Sequence, residues 1–454
     1  MRYTGRLMLL SGFLGLLMLV AYTVSAQRTQ GPASYERDYE QVTQSNMRAK
    51  FAEGRQIFRY DTFGDEAFWG GRLKLHQAIQ GERFGGVGAG ISPKTALSLG
   101  LRVDVDALPK NVQSALKSGQ VDLDAPATTL TLLKANAVVG VKGVFAEDGE
   151  RLESIGITCA ICHSTVDDSF APGIGHRLDG WANQDLNVGA IIAASPDLSP
   201  YTELLGVDRE TVLKVLNSWG PGKFDALLIL DGKAFTPDGK SAAVLIPPAY
   251  GLQGVDLHTW SGSFGSIPYW NAFVGTLEMH GQGSFFDPRL NNPSKYPIAA
   301  RARLYDVRNT PDLLTPKLPA LHTYQLALPA PEPPAGSFNR TSATRGRTLF
   351  MGRAGCKRCH VPTIFTDPGW NLRRPDEIGI DSFQANRSPD NALRTMPLRS
   401  LWVRKRGFYH DGRFPTLLDV VNHYDRFFNL RLSQGEKQDL VQYLLSLPEP
   451  TPQR

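Results

Sequence analysis

The pattern of hydrophobic and polar positions divides the chain into an apolar start, a polar stretch, a long irregular middle and a short helical end. Residues 7–24 form an apolar run broken by Ser11, Gly12 and Gly15, preceded by Arg2 and Arg6 and followed by Val24-Ser25-Ala26. This order is that of a secretory leader over residues 1–26 with a small-residue cleavage site. The run is long for a leader, so an uncleaved membrane anchor is the alternative. Residues 27 to about 60 are polar with little periodicity outside 48–58, and they predict an N-terminal arm. Short apolar runs over 104–116 and 128–144 predict one helix and a strand or two. Residues 130–145, followed by Gly156-Ile157-Thr158, predict a hairpin.

Further on, residues 211–219 predict a short helix stopped by Gly220-Pro221-Gly222. Residues 252–286 are rich in glycine and aromatics, which suits loops packed over a cofactor and equally a compact irregular core. The proline-rich segment 328–336 predicts a semi-rigid linker. After it come a helix over 341–351, opened by N-cap residues, and a last amphipathic helix over 432–447. The apolar positions of that last helix are Leu440, Val441, Leu444 and Leu445. The glycine-rich stretch 81–90 lacks the Lys-Ser/Thr of a phosphate loop and predicts a turn.

Every cysteine belongs to one of two Cys-x-x-Cys-His pentapeptides, Cys159–His163 and Cys356–His360. This is the attachment pattern of c-type haem: each thiol adds across a vinyl group, and the adjacent histidine supplies a nitrogen to iron. A zinc site would need four ligands converging on one metal, but the motifs stand almost two hundred residues apart and each carries its own histidine. The expected cofactors are therefore two covalent haem c groups, held by Cys159, Cys162, Cys356 and Cys359, with His163 and His360 as axial ligands.

Composition adds scale and compartment. The 454 residues, 42% hydrophobic and 20% charged, are enough for two or three domains. Net charge is +5, or +3 without the leader arginines, and no basic block carries interleaved aromatics, so nucleic acid is not an expected partner. A leader and covalent haem both indicate a periplasmic protein, at the membrane only if the leader is uncleaved. The expected fold is mainly α, with two cytochrome c-type haem domains, irregular loop-rich elaborations and a few short strands. The expected division is leader 1–26, extension 27–150, first haem domain 151–327, linker 328–336 and second haem domain 337–454.

A family resemblance follows from the second of these segments. Gly346-Arg347-x-Leu349-Phe350 before Cys356, Met396-Pro397-Leu398-Arg399, residues 407–414 (GFYHDGRF) and residues 416–421 (TLLDVV) resemble the second haem domain of bacterial di-haem cytochrome c peroxidases. The related enzyme that matures methylamine dehydrogenase shares this pattern. The resemblance covers most of residues 337–450. In the first domain His176, thirteen residues beyond His163, lies close to where those peroxidases place a distal histidine. Tyr269-Trp270, with Phe285 and Phe286 further on, is similar to an aromatic set of the di-haem rubber oxygenases. Two departures stand out. The places that hold calcium in the peroxidases are Lys405 and Gly407 here, which argues against calcium. Their methionine ligand is replaced by Tyr424, as in the maturation enzyme.

These readings assign candidate roles. For the second haem the distal candidates are His410 first and Tyr424 second, with Met396 and His423 also near. For the first haem His176 is either a displaceable ligand or a surface histidine. Glu278, with His280 nearby, would serve acid–base chemistry over an open iron, or be an ordinary surface glutamate. Trp270 and Trp260 would relay electrons, or be large core residues. The resemblance implies that the second haem accepts electrons from a small periplasmic donor of cytochrome c or cupredoxin type and passes them to a first haem that reduces peroxide. A dioxygenase acting on an apolar substrate, and a pure electron carrier, are the alternatives.

Overall fold

The computed structural model describes residues 32–448; the leader lies outside them. The protein is mainly helical, 44% helix against 10% strand, and its strands pair only as two-stranded sheets among the described residues. The described residues divide into two compact units, the boundary falling between Ala52 and Glu53. No helix among the described residues is long and apolar enough to cross a membrane.

The polar arm is in fact a single helix, Pro32–Tyr60. Most of its length is exposed, so it needs no apolar stripe, and good helix formers such as Gln, Arg, Glu, Lys and Ala sustain it. Only its last turns are buried: Ile57 and Phe58 enter a cluster with Leu321 and Tyr324. Gly54 permits this approach, because a Cβ there would strike the Ala320 carbonyl.

The predicted hairpin forms, but shorter than its apolar run. Residues 130–134 finish a helix, Pro126–Lys134, and the strands are Val141–Phe145 and Leu152–Ile157. The second strand delivers the chain to Thr158 and the one-turn helix Ala160–His163. Ser164–Val166 then pairs with Arg177–Asp179, while Ile174–Gly175 pairs with Val103–Asp104. Helix Arg209–Trp219 starts at Asp208, which accepts from the Thr211 N–H at 2.7 Å. It buries Val212, Val215, Leu216 and Trp219 on one face and ends at Gly220, φ +71°.

The C-terminal part is built on two crossing helices. Arg340–Met351 is capped by Asn339, and Gln434–Leu445 by a Ser433/Glu436 capping box. They meet at Gly346, with the Arg345 guanidinium donating twice to Asp439 at 2.7 Å. Phe350 packs on Tyr443 with ring centroids 5.2 Å apart. Helix Leu417–Phe427 completes this layer. The proline-rich segment carries no helix or strand between residues 328 and 336; the Ser400 hydroxyl donates to the Pro331 carbonyl at 2.6 Å.

Candidate functional site

The two pentapeptides line two different cavities, so their ligands do not converge on one metal. The first cavity, about 250 Å³, has Cys159, Cys162 and His163 on its wall and is otherwise mostly apolar, with Leu97, Leu132, Leu133 and Ile155 among its sides. Burial pushes both thiols up to about 12 and the His163 imidazole down to about 4, the Pro247 carbonyl partly opposing the latter. His163 Nδ1 is buried with no hydrogen-bond partner. Two neutral thiols and a neutral imidazole on one turn are the donor set that haem attachment and iron ligation require.

Facing this cavity are Trp270, Glu278 and His280, all candidates from the sequence, and His258, which was not one. Glu278 is placed by a π-helical turn, Val274–Glu278, closed by the Met279 N–H on the Val274 carbonyl at 2.8 Å. A second π-helical segment, Ala67–Arg72, supports it: Trp69 Nε1 donates to the Met279 carbonyl at 3.0 Å, and Phe68 stacks on His280 at 3.5 Å. Glu278 Oε1 is buried without a partner. Burial, then the charge of Asp225, holds its carboxyl well above the usual range. His258 is also buried with an unpartnered Nδ1. Nothing in its local sequence marks it, since a histidine between Leu257 and Thr259 has no motif.

His176 lies elsewhere, correcting the expectation of a distal ligand in this structure. It is exposed, its Nδ1 is 3.0 Å from both Asp106 carboxylate oxygens, and it lines neither cavity. The flanking strands bury Ile174 and Gly175 and leave His176 at the surface. Tyr269, Phe285 and Phe286 do not wall the cavity either. Tyr269 and Phe285 pack behind it, 5.6 Å apart, with Phe285 also against Phe273; Phe286 is exposed under Arg308.

The second cavity, about 620 Å³, lies within the size range of cofactor sites. It is lined by Cys356, Cys359, His360, Met396, His410 and Tyr424. His360 Nδ1 bonds the Phe365 carbonyl at 3.1 Å, which fixes the tautomer and leaves Nε2 as the lone-pair nitrogen. This is the arrangement of a metal-bound imidazole, so the residues fit haem. His410 is buried, and burial pushes it down to about 4, again neutral. Tyr409, φ +70°, presents a buried hydroxyl without a partner beside Tyr424, ring centroids 6.3 Å apart. His423 points away and bonds the Ile378 carbonyl at 2.8 Å through Nε2.

Trp260 lines both cavities, whereas Trp270 lines only the first. Trp260 Nε1 donates to the Leu245 carbonyl at 2.7 Å, and the Leu245 N–H donates to the His410 carbonyl at 2.6 Å. The Trp260 and His410 rings are 6.5 Å apart.

Two cavities each carry a Cys-x-x-Cys-His pentapeptide on the wall, with one tryptophan common to both, and the chain is similar over part of its length to proteins named as MauG and as a cytochrome-c peroxidase. It is similar to the methylamine utilization protein MauG of Methylorubrum extorquens, 32% identical over 155 residues, covering 28% of this chain and 42% of that protein. It is also similar to the cytochrome-c peroxidase IdrP1 of Pseudomonas sp. strain SCT, 27% identical over 157 residues, covering 24% and 41%. The chain thus spans about two fifths of the length of these relatives. No protein-family model matches it. Among solved structures, a MauG-like protein associated with microbial copper homeostasis aligns at 15% identity and TM-score 0.32, over 51% of this chain and 80% of that one. Kuenenia stuttgartiensis hydrazine synthase aligns at 20% identity and TM-score 0.26, over 47% and 75%. At these scores the structural likeness carries no argument.

Proposed function

We propose that the chain is an exported di-haem c-type cytochrome in which a second haem, on Cys356, Cys359 and His360, relays electrons to a first haem, on Cys159, Cys162 and His163, where peroxide is reduced. When bound, haem supplies redox-active iron and the cleavage of the oxygen–oxygen bond. The observation that carries the reading is Glu278: a buried carboxyl with an unpartnered Oε1 in the same apolar cavity as His163, its pKa held above the usual range, placed to deliver a proton to a bound oxygen species. Trp260, packed against both cavities, gives electrons a short route between them. His410 is the first choice as distal group of the second haem and Tyr424 the next, since both line that cavity. A small donor protein of cytochrome c or cupredoxin type would supply the electrons.

A specific observation favours the second reading, a dioxygenase acting on an apolar substrate. His176 is away from the first cavity, leaving no histidine from that loop to close the iron, and about half of the residues on the cavity wall are leucine, isoleucine or valine. Electron paramagnetic resonance on the half-reduced holo-protein, followed by turnover assays, separates the readings. The peroxidase reading expects a high-spin ferric signal and peroxide consumption with a reduced donor, lowered about 100-fold or more by Glu278→Gln. Oxygen uptake with an apolar alkene and no peroxide turnover would replace it with the dioxygenase. A low-spin signal unmoved by cyanide or peroxide would leave only an electron carrier.

A further inference from the structure

A buried guanidinium is costly unless an anion accompanies it. Five arginines line the second cavity: Arg353, Arg358, Arg373, Arg394 and Arg404. Arg353 is paired with Glu436 and Arg373 with Asp367, while Arg358 is exposed to solvent. Arg394 and Arg404 have no ion pair among the described residues. Arg394 is 8% exposed; it spends Nε on the Thr259 carbonyl and Nη1 on the Leu257 carbonyl, the latter at 2.7 Å. Its backbone N–H is tied to the Trp260 carbonyl at 3.1 Å. Arg404 is half-buried and lies over the Trp260 ring, its guanidinium carbon 6.0 Å from the centroid. The two cations repel: burial, then Arg404, pushes Arg394 down to about 9, and burial pushes Arg404 down too. The other titratable groups that feel them are His258 and Tyr250, neither of which is an anion at neutral pH.

Two guanidinium groups without an ion pair among the described residues, on the wall of the cavity that carries Cys356, Cys359 and His360, call for two anions. Haem brings that number, as two propionates. We infer that Arg394 and Arg404 bind the propionates of the haem held by Cys356 and Cys359, and that this pairing, set against Trp260, raises the reduction potential of that haem. The inference rests on the di-haem reading. The arginines place fixed positive charge beside Trp260, the residue common to the two cavities. Without them, the propionate charges would favour the ferric state.

The test is a spectroelectrochemical titration of the di-haem protein, the second centre being identified as the one missing from a Cys356→Ser/Cys359→Ser protein. Arg404→Gln is expected to lower the reduction equilibrium constant of that centre at least tenfold at pH 8, about 59 mV for a one-electron couple. The difference should shrink toward pH 5 as the freed propionate takes up a proton, and Arg404→Lys should restore most of it. Arg394→Gln is expected to act in the same direction, but it also releases two carbonyls. Arg404, which makes no side-chain hydrogen bond to a carbonyl, therefore carries the test. An Arg404→Gln protein with both haems and an unchanged potential, or with the same shift at pH 5 and pH 8, overturns the inference. A wild-type protein with fewer than two haems by pyridine haemochrome assay would instead remove the di-haem reading itself.

Discussion

Asp65 is a carboxylic acid, not a carboxylate, at neutral pH. Its side chain is fully buried, and burial followed by the charge of Glu66 pushes it up to about 9, the Ile157 N–H at 3.2 Å partly opposing. The folded state therefore holds a proton that the unfolded state releases near pH 4. The stability gained from it is full below that value and is lost as pH rises through about 9. Thermal melts from pH 7 to 9.5 should show a falling midpoint in the wild type and a flatter profile in Asp65→Asn; parallel profiles would reject the assignment. At this scale the sequence was legible where chemistry is covalent and local. A Cys-x-x-Cys-His turn specifies its own ligand, and both motifs do line cavities. For the first cavity the facing side was not legible, because it is supplied by residues far along the chain. The resemblance offered His176 as either a ligand or a surface histidine, and the strand pairing leaves it at the surface; the sequence passed over His258, Arg394 and Arg404.

Among the elements, the crossing of helices Arg340–Met351 and Gln434–Leu445 depends on one missing side chain. A Cβ on Gly346 would run into the Asp439 carbonyl, a backbone atom that cannot turn aside. Alanine gains about 1 kcal/mol of helix propensity over glycine, but overpacking costs about 1–3 kcal/mol. Gly346→Ala should therefore be destabilising by up to about 2 kcal/mol, read as a lower urea midpoint with loss of the Arg345–Asp439 pairing. A midpoint at or above wild type would contradict it. Both helices were readable from their caps and apolar spacing. The helix Pro32–Tyr60 was not, because an exposed helix carries no apolar stripe to betray it. The π-helical turns that aim Glu278 were invisible for another reason: they are decided by the packing of Phe68 and Trp69 against residues 279–280.

At the scale of the whole molecule, the region around the second cavity is pinned to that around the first by a buried ionic cluster. Arg387, 1% exposed, donates to Asp231 at 2.8 Å and reaches Asp225 at 3.0 Å; Asp225 also lines the first cavity and raises the carboxyl of Glu278. Removing the cation leaves two buried carboxylates without compensation. Arg387→Met should cost about 3–5 kcal/mol, with Asp225→Asn and Asp231→Asn in the same chain recovering part of it. Chemical denaturation of the holo-protein measures both, and an Arg387→Met midpoint equal to wild type would show that the cluster is not what joins the two regions. What the sequence determined by itself was the pair of Cys-x-x-Cys-His motifs, the resemblance they carry and the capped helices, because each is written in residues a few positions apart. The tertiary structure alone decided which side chains face each pentapeptide, that Trp260 is common to both cavities, and that two arginines stand there with no ion pair among the described residues. Those facts depend on burial and on pairings across a hundred residues or more, which no local pattern encodes.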